Sequence, residues 1–75
     1  DRVDTGTTVP CPIAGLAVVY APQFTAAPNV QITILNAQAG DDIVLVSQDA
    51  AGFFVQIINS GSPVSRAINW LAQGY

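Results

Sequence analysis

Few residues in this 75-residue chain could do chemistry. The chain has no histidine, and its only cationic side chains are Arg2 and Arg66. General acid–base catalysis draws most often on histidine, and nucleophilic catalysis needs an activated thiol, hydroxyl or amine. The single thiol, Cys11, lies between two prolines. The sequence therefore predicts that the protein is not an enzyme.

Three carboxylates lie at the ends of one predicted strand: Asp41 precedes it, Asp42 is its first residue and Asp49 follows it. Carboxylates are ligands of Ca²⁺, which takes about six to eight oxygens. Neighbouring side chains in a strand point to opposite faces, however, and the third carboxylate lies at the other end of the strand. One cysteine and no histidine also give zinc no ligand set. We therefore predict no metal and no other cofactor, and we interpret these aspartates as solvated turn residues.

The remaining candidates are aromatic or cationic. Trp70 and Tyr75 could stack against a sugar ring, although a tryptophan in an alternating strand more often packs in the core. We predict that Arg66 pairs with an aspartate, within the chain or across a subunit boundary; the alternative is that it binds a phosphate or carboxylate of a receptor. A net charge of −3 with two arginines cannot neutralise several phosphates, which argues against a nucleic-acid partner.

The elements that would position these residues are strands. The composition is 51% apolar and only 9% charged, and the length fits one domain. Short alternating runs between Gly-, Pro- and Asn-rich turns are typical of an antiparallel sandwich or barrel. No apolar stretch is long enough for a membrane helix, so no membrane insertion is predicted. We predict an all-β, antiparallel sandwich of five to six strands, with candidates at residues 16–21, 29–37, 42–48, 53–59 and 64–73.

Residues 1–12 are predicted as an extended lead-in or linker, because Pro10 and Pro12 resist regular pairing. This segment would carry at most one short strand around Val3. Residues 13–75 then form the single sandwich domain. The chain contains no methionine, so we also expect it to be a piece or a processed product of a longer protein.

Alternation assigns one face of each strand to the core. Val30, Ile32 and Ile34 share a face, as do Phe53, Val55 and Ile57, and likewise Ile68, Trp70 and Ala72. Further apolar residues fall on the opposite faces. They could cover each other inside the sandwich, form an interface in a cyclic homo-oligomer, or mark an aggregation-prone fragment. A small core without a disulfide favours the oligomer. The predicted interface residues are Val19, Leu35, Phe54, Ile58, Leu71 and Arg66.

Several short patterns occur together between residues 16 and 75. They are Val18-Val19-Tyr20, Phe24 followed by Pro28-Asn29-Val30, Gly40-Asp41, Gly52-Phe53 and the terminal Trp70-Leu71-Ala72-Gln73-Gly74-Tyr75. This combination resembles the C-terminal β-sandwich domains of tailed-bacteriophage tail-tip and fibre proteins, especially the host-specificity, protein-J-like central fibres. It is also similar to the H-type lectin fold, a trimeric six-stranded sandwich that binds sugars between protomers. The lectin sugar-binding residues, which include a histidine, have no match in this chain.

The resemblance implies a homotrimer in the virion, on the phage tail and outside cells. Its expected partners are the other copies, the rest of the fibre or tail-tip protein, and a host-surface glycan or outer-membrane receptor. We therefore predict a structural, receptor-facing module; the alternatives are a carbohydrate-binding lectin domain and a purely structural trimerisation or connector cap. Loops carry recognition more often than strands do. The predicted receptor-facing residues are Gly40, Asp41, Asp42, Asp49, Ser60, Ser62 and Tyr75.

Overall fold

A computed structural model describes residues 2–75, which form two antiparallel β-sheets. One sheet has the order β1-β7-β3; the other has the order β2-β5-β4, with the short β6 also paired to β5. This confirms the prediction of an all-β, two-sheet antiparallel fold. Seven strands replace the predicted five to six, because β1 and β6 add to the set. The strands are β1 Arg2–Cys11, β2 Leu16–Val19, β3 Asn29–Ile34, β4 Asp41–Gln48, β5 Gly52–Asn59, β6 Ser62–Pro63 and β7 Arg66–Gly74.

The segment predicted as a lead-in is extended, but it is a ten-residue strand and not a linker. β1 pairs with β7 from Arg2 opposite Gly74 to Cys11 opposite Arg66. Pro10 is tolerated in β1 because β1 is an edge strand. The backbone groups on its outer side pair with no other strand, so a residue without an amide hydrogen can be placed there. A bulge interrupts the pairing between Gly6 and Val9.

The core lies between the two sheets and is strongest where β5 faces β7. Phe53, Val55 and Ile57 of β5 are buried together with Ile68 and Ala72 of β7, which confirms the faces predicted for these strands. Cys11 is the last residue of β1 and is fully buried in the same core. The prediction that it lies in a lead-in is therefore wrong.

An aromatic cluster closes the core near the start of β3. Tyr20 and Phe24 meet edge to face at 4.8 Å between ring centroids, and Phe53 meets Trp70 at 5.3 Å. Gly6 makes room for the indole, because a Cβ at that position would overlap the Trp70 ring. The cluster therefore depends on a residue without a side chain in β1.

The two outer faces of the sandwich differ in chemistry. Directly opposed residues of an antiparallel pair share one face, so the register assigns each side chain. The outer face of the sheet β2-β5-β4 carries four apolar residues, Val19, Val44, Phe54 and Ile58, which we call the apolar face. The polar residues Asp42, Ser47 and Gln56 lie among them. The sheet β1-β7-β3 exposes a polar face, which we define as Thr5, Gln31, Thr33, Asn69 and Leu71.

The sandwich also has two distinct ends. At the Asp41 end, Asp41 lies opposite Asn59 and close to Arg66. At the Asp49 end, the β4–β5 turn lies beside the loop that follows β2, since Ala50 accepts a hydrogen bond from the Phe24 amide. Eight residues of β5 separate the two ends, about 25 Å at strand spacing.

Both described chain termini lie at the Asp49 end. Arg2 pairs with Gly74 and donates a hydrogen bond to the Gln23 carbonyl. Thr25 donates a 2.8 Å hydrogen bond to the carbonyl of Tyr75. The Asp41 end is therefore remote from both termini.

Candidate binding surfaces

The structure does not bring all predicted interface residues together. Val19, Phe54 and Ile58 share the apolar face, where Val19 is 80% exposed. Leu71 lies on the polar face, on the opposite side of the sandwich. Leu35 lies in the turn after β3, where its amide donates to the Ala67 carbonyl at 2.9 Å. A single flat contact surface therefore cannot contain all five apolar residues.

Arg66 forms an ion pair within the chain. Its Nε donates to Asp41 Oδ2 at 2.9 Å and its Nη2 to Asp41 Oδ1 at 3.2 Å. Asn59 Nδ2 and the Gln38 amide donate to the same carboxylate at 2.7 and 2.9 Å. These donors, Arg66 first, lower the pKa of Asp41 to about 2. The cluster links the two sheets at the Asp41 end.

This cluster bears on two expectations drawn from the sequence. Only 2% of the Asp41 side chain is exposed, so its carboxylate is held inside the molecule and is not free to face a receptor. Arg66 is committed to Asp41 and to the Ser65 carbonyl, so it is not a free interface cation. Sequence reasoning predicted an aspartate partner for Arg66 without identifying which aspartate.

The second arginine is also committed. Arg2 donates to both carboxylate oxygens of Asp4, at 3.0 and 2.7 Å, and its guanidinium lies 4.1 Å from the centre of the Phe24 ring. The hydrogen bond from Arg2 lowers the pKa of Asp4. Within residues 2–75 no cation remains free for an anionic ligand, whereas Asp42 and Asp49 have no ionic partner.

The predicted receptor-facing loops lie at opposite ends of the molecule. Gly40, Asp42, Ser60 and Ser62 lie at the Asp41 end, where Asn59 Nδ2 bonds the Ala39 carbonyl at 2.9 Å. Asp49 and the 74%-exposed Tyr75 lie at the other end. Asp49 caps its own turn, because its Oδ1 accepts hydrogen bonds from the amides of Ala51 and Gly52. The seven residues therefore do not form one recognition surface.

Trp70 is partly buried against the core and does not form a stacking platform with Tyr75. Its ring packs against Phe53 at 5.3 Å and against Tyr20 at 6.2 Å between centroids. The Tyr20 hydroxyl is buried without a hydrogen-bond partner among residues 2–75.

A groove on the polar face was missed by the sequence analysis. It is an open depression of about 370 Å³, and Thr5, Gln31, Thr33, Asn69 and Leu71 contribute to its lining. The β1 bulge shapes one wall: Thr8 adopts a φ of 49°, and its amide donates to Asn69 Oδ1 at 2.8 Å. The alternating Thr and Gln residues of β1 and β3 were a visible signal, but the bulge and the order of the strands were not.

The lining of the groove is uncharged and has side-chain groups that are free to form hydrogen bonds with a ligand. Within residues 2–75, the side chains of Thr5, Gln31 and Thr33 take part in no hydrogen bond. Asn69 uses its carbonyl oxygen for Thr8 and keeps its amide donors. Leu71 adds an apolar patch between Thr5 and Gln31. The groove thus combines neutral donors and acceptors with an apolar floor.

No family model matches this chain, and no curated protein or solved structure matches it either. The fold defines the class as an all-β protein of two antiparallel sheets. Within residues 2–75 the structure contains no helix that is long and apolar enough to cross a membrane.

Proposed function

We propose that the chain is a non-catalytic, self-assembling β-sandwich module that acts as a homotrimer at the tip of a phage tail fibre. In this role it would trimerise and present loops for attachment to a host surface. The observation that carries the proposal is the apolar face of Val19, Val44, Phe54 and Ile58. The sequence resemblance to tail-fibre domains supports the biological setting.

The apolar face is costly for an isolated chain. Burying one large apolar side chain stabilises a protein by about 1.5–3 kcal/mol, and soluble monomers rarely leave several such residues side by side in water. Val19 is 80% exposed and Val44 is 36% exposed. Contact with further copies would remove this surface from water and would add to a small core that has no disulfide.

Three-fold symmetry limits which residues can form the contact. In a closed trimer each copy contacts two neighbours through two different patches, and the outward directions of these patches differ by about 60°. Patches on opposite faces of the molecule would instead join copies into an open stack. Leu71 lies opposite Phe54 across the sandwich. The proposed contact therefore uses the apolar face and the adjoining edge at β2, and it leaves Leu71 outside.

The chain path supports an orientation for the module. Because Arg2 pairs with Gly74, any fibre segment joined at either terminus connects at the Asp49 end. The Asp41 end, with Gly40, Ser60 and Ser62, would then point away from the fibre. These loops are the proposed receptor contacts, and Asp49 and Tyr75 are assigned to the attached end.

Sedimentation of the chain at micromolar concentration tests the assembly. We expect three times 7.8 kDa for the unchanged chain and a folded monomer for Val19→Asp, because the new carboxylate would be buried between copies. Thr33→Asp on the polar face is the matched control and should stay trimeric. A monomeric unchanged chain, or a trimeric Val19→Asp variant, would contradict the proposal.

Adsorption of particles tests the receptor role separately. Ser62→Arg alters an exposed residue at the Asp41 end, whereas Asp49→Asn alters the opposite end and keeps the turn acceptor. We expect only Ser62→Arg to reduce adsorption. Normal adsorption of both variants would favour the alternative of a purely structural connector.

The groove favours a second candidate function, binding of a neutral carbohydrate. Hydroxyls and amides can both donate and accept hydrogen bonds, as the hydroxyls of a sugar require. An apolar floor suits the C–H face of a sugar ring, and the volume of about 370 Å³ lies in the range of small-ligand sites. The absence of a free cation among residues 2–75 argues against acidic sugars.

A glycan array with competition by free sugar tests this candidate. Thr33→Val keeps the shape of the side chain but removes its hydroxyl, so it should weaken binding. Ser60→Ala, at the Asp41 end, is the control and should leave binding unchanged. Absence of glycan binding, or equal binding by both variants, would rule out the groove as a sugar site.

A further inference from the structure

The free edge of β4 is the longest strand edge in the described chain that lacks proline, although a bulge at Val46 interrupts it. β4 runs from Asp41 to Gln48 and pairs only with β5, so its other side forms the border of the sheet. An edge strand presents a row of backbone donors and acceptors to any strand that can pair with it. The question is whether the molecule protects this edge.

Three of the other edges carry protective features. β1 has a bulge and Pro10, and the Arg2–Asp4 ion pair lies at its start. β2 and β6 contain only four and two residues, whereas β3 contains six and has no bulge, proline or charge. Short strands, bulges, prolines and charges are the usual means of blocking edge pairing. β4 has one such feature, a bulge at Val46, and carries no charge between residues 43 and 48.

The side chains of β4 are unusually accessible on both faces. Ile43 lies opposite the buried Ile57, on the core side, yet it is 41% exposed. Val44, opposite Gln56 on the outer side, is 36% exposed, and the bulge residue Val46 is 57% exposed. A strand added to this edge would therefore cover apolar surface on both faces as well as pair backbone groups.

Charge at the two ends of β4 identifies the partner. Asp42 near its start and Asp49 just beyond its end are both exposed and have no ionic partner within residues 2–75. Because the bulge at Val46 takes one residue out of the regular repeat, they lie on the same face, six strand steps or about 20 Å apart. We propose that β4 binds an extended peptide segment that has alternating apolar residues and a basic residue near each end.

A second copy of this chain fits the edge poorly. Antiparallel pairing of β4 with itself would bring Asp42 of one copy close to Asp49 of the other. Like charges facing each other destabilise a strand pair, and both arginines of the chain are already in ion pairs. This proposal concerns the sheet edge, and Val44 is the one residue that it shares with the apolar face of the proposed trimer contact.

The probe is a blocked seven-residue peptide with lysine at both ends and alternating valine and threonine between them. Its lysines are six positions apart and share one face of a strand, which matches Asp42 and Asp49 on the outer face. One control peptide has glutamate at both ends, and a second has proline in place of the central valine. Binding is measured by NMR titration of the assembled protein at low salt.

We expect the lysine peptide to shift β4 resonances and to slow exchange of β4 amides, and neither control peptide to do so. Asp42→Asn and Asp49→Asn should each weaken binding by roughly 1.5- to 5-fold, the range of exposed ion pairs. Asp49→Asn keeps the oxygen that caps its turn, so the fold is preserved. The weakening of peptide binding by each of these two substitutions should be smaller at high salt.

Three results would overturn the inference. Equal binding of the lysine and glutamate peptides would remove the role of charge, and equal binding of the proline peptide would exclude strand pairing. Slow exchange of β4 amides before peptide is added, increasing with protein concentration, would show that a second copy occupies the edge. The sedimentation result for Val19→Asp does not affect any of these readings.

Discussion

Two adjacent isoleucines in β5 allow the assignment of faces to be tested directly. Ile57 is fully buried in the core, whereas Ile58 lies on the apolar face and is only partly buried. Replacing a fully buried isoleucine by alanine costs about 2–5 kcal/mol, and replacement by valine costs about 0.5–1.5 kcal/mol. A chain of this length has a free energy of unfolding of roughly 4–11 kcal/mol. Ile57→Ala should therefore remove a large fraction of the stability.

The matched variant Ile58→Ala should behave differently. The side chain is only partly buried, so we expect a smaller loss than for Ile57, about 1–2 kcal/mol, in the dissociated chain. If Ile58 also lies in a contact between copies, its cost grows with protein concentration, because association stabilises only the folded state. The cost of Ile57→Ala should not depend on concentration in this way.

Urea unfolding followed by tryptophan fluorescence, at two protein concentrations tenfold apart, separates these effects. Ile57→Val should fall between the unchanged chain and Ile57→Ala, with the urea dependence of the unfolding free energy unchanged. If Ile58→Ala lowers the free energy of unfolding as much as Ile57→Ala at the lower concentration, the assignment of faces is wrong. The assignment is also wrong if Ile57→Ala lowers it by less than about 1 kcal/mol.

Three further predictions concern single residues. The pKa of Asp41 is lowered to about 2, so the stability it contributes is present above its ordinary pKa and is lost as the pH falls towards 2. Asp41→Asn should reduce the fall in unfolding midpoint between about pH 4 and pH 2; an unchanged acid dependence would contradict this. Gly6→Ala would place a methyl group against the Trp70 indole and should cost about 1–3 kcal/mol with a shift in tryptophan emission; unchanged stability and emission would show that the ring moves freely. Burial raises the pKa of the Cys11 thiol, so a thiol reagent should react only as fast as the chain unfolds, and a rapid reaction of the native chain would be the contrary result.

Alternation along the chain was sufficient to predict the strands that form the centre of each sheet. β5 and β7 bury the predicted faces because Phe53, Val55 and Ile68 recur with the period of a strand. The same pattern did not predict β1, because Pro10 argues against pairing unless the strand is known to lie at an edge. Edge position depends on the order of strands in the sheet, which local patterns do not contain.

The candidate surfaces were less predictable than the strands for the same reason. The apolar second face was visible through Val19, Phe54 and Ile58, but Leu71 was grouped with them because the sequence does not assign strands to sheets. The groove depends on the bulge near Thr8 and on three strands that are distant in sequence. The partner of Arg66 depends on a contact between residues 25 positions apart.

Both arginines are held in ion pairs, and this has a practical consequence for handling the protein. The chain contains no lysine, and Arg2 and Arg66 each lie in a paired strand and in an ion pair. Trypsin cleaves only after lysine or arginine in extended, accessible chain, so the folded domain should survive digestion that destroys its neighbours. Amine-reactive labels likewise find no side chain to modify. Fluorophores for studying this molecule must therefore enter through engineered cysteines, with the native thiol left buried in the core.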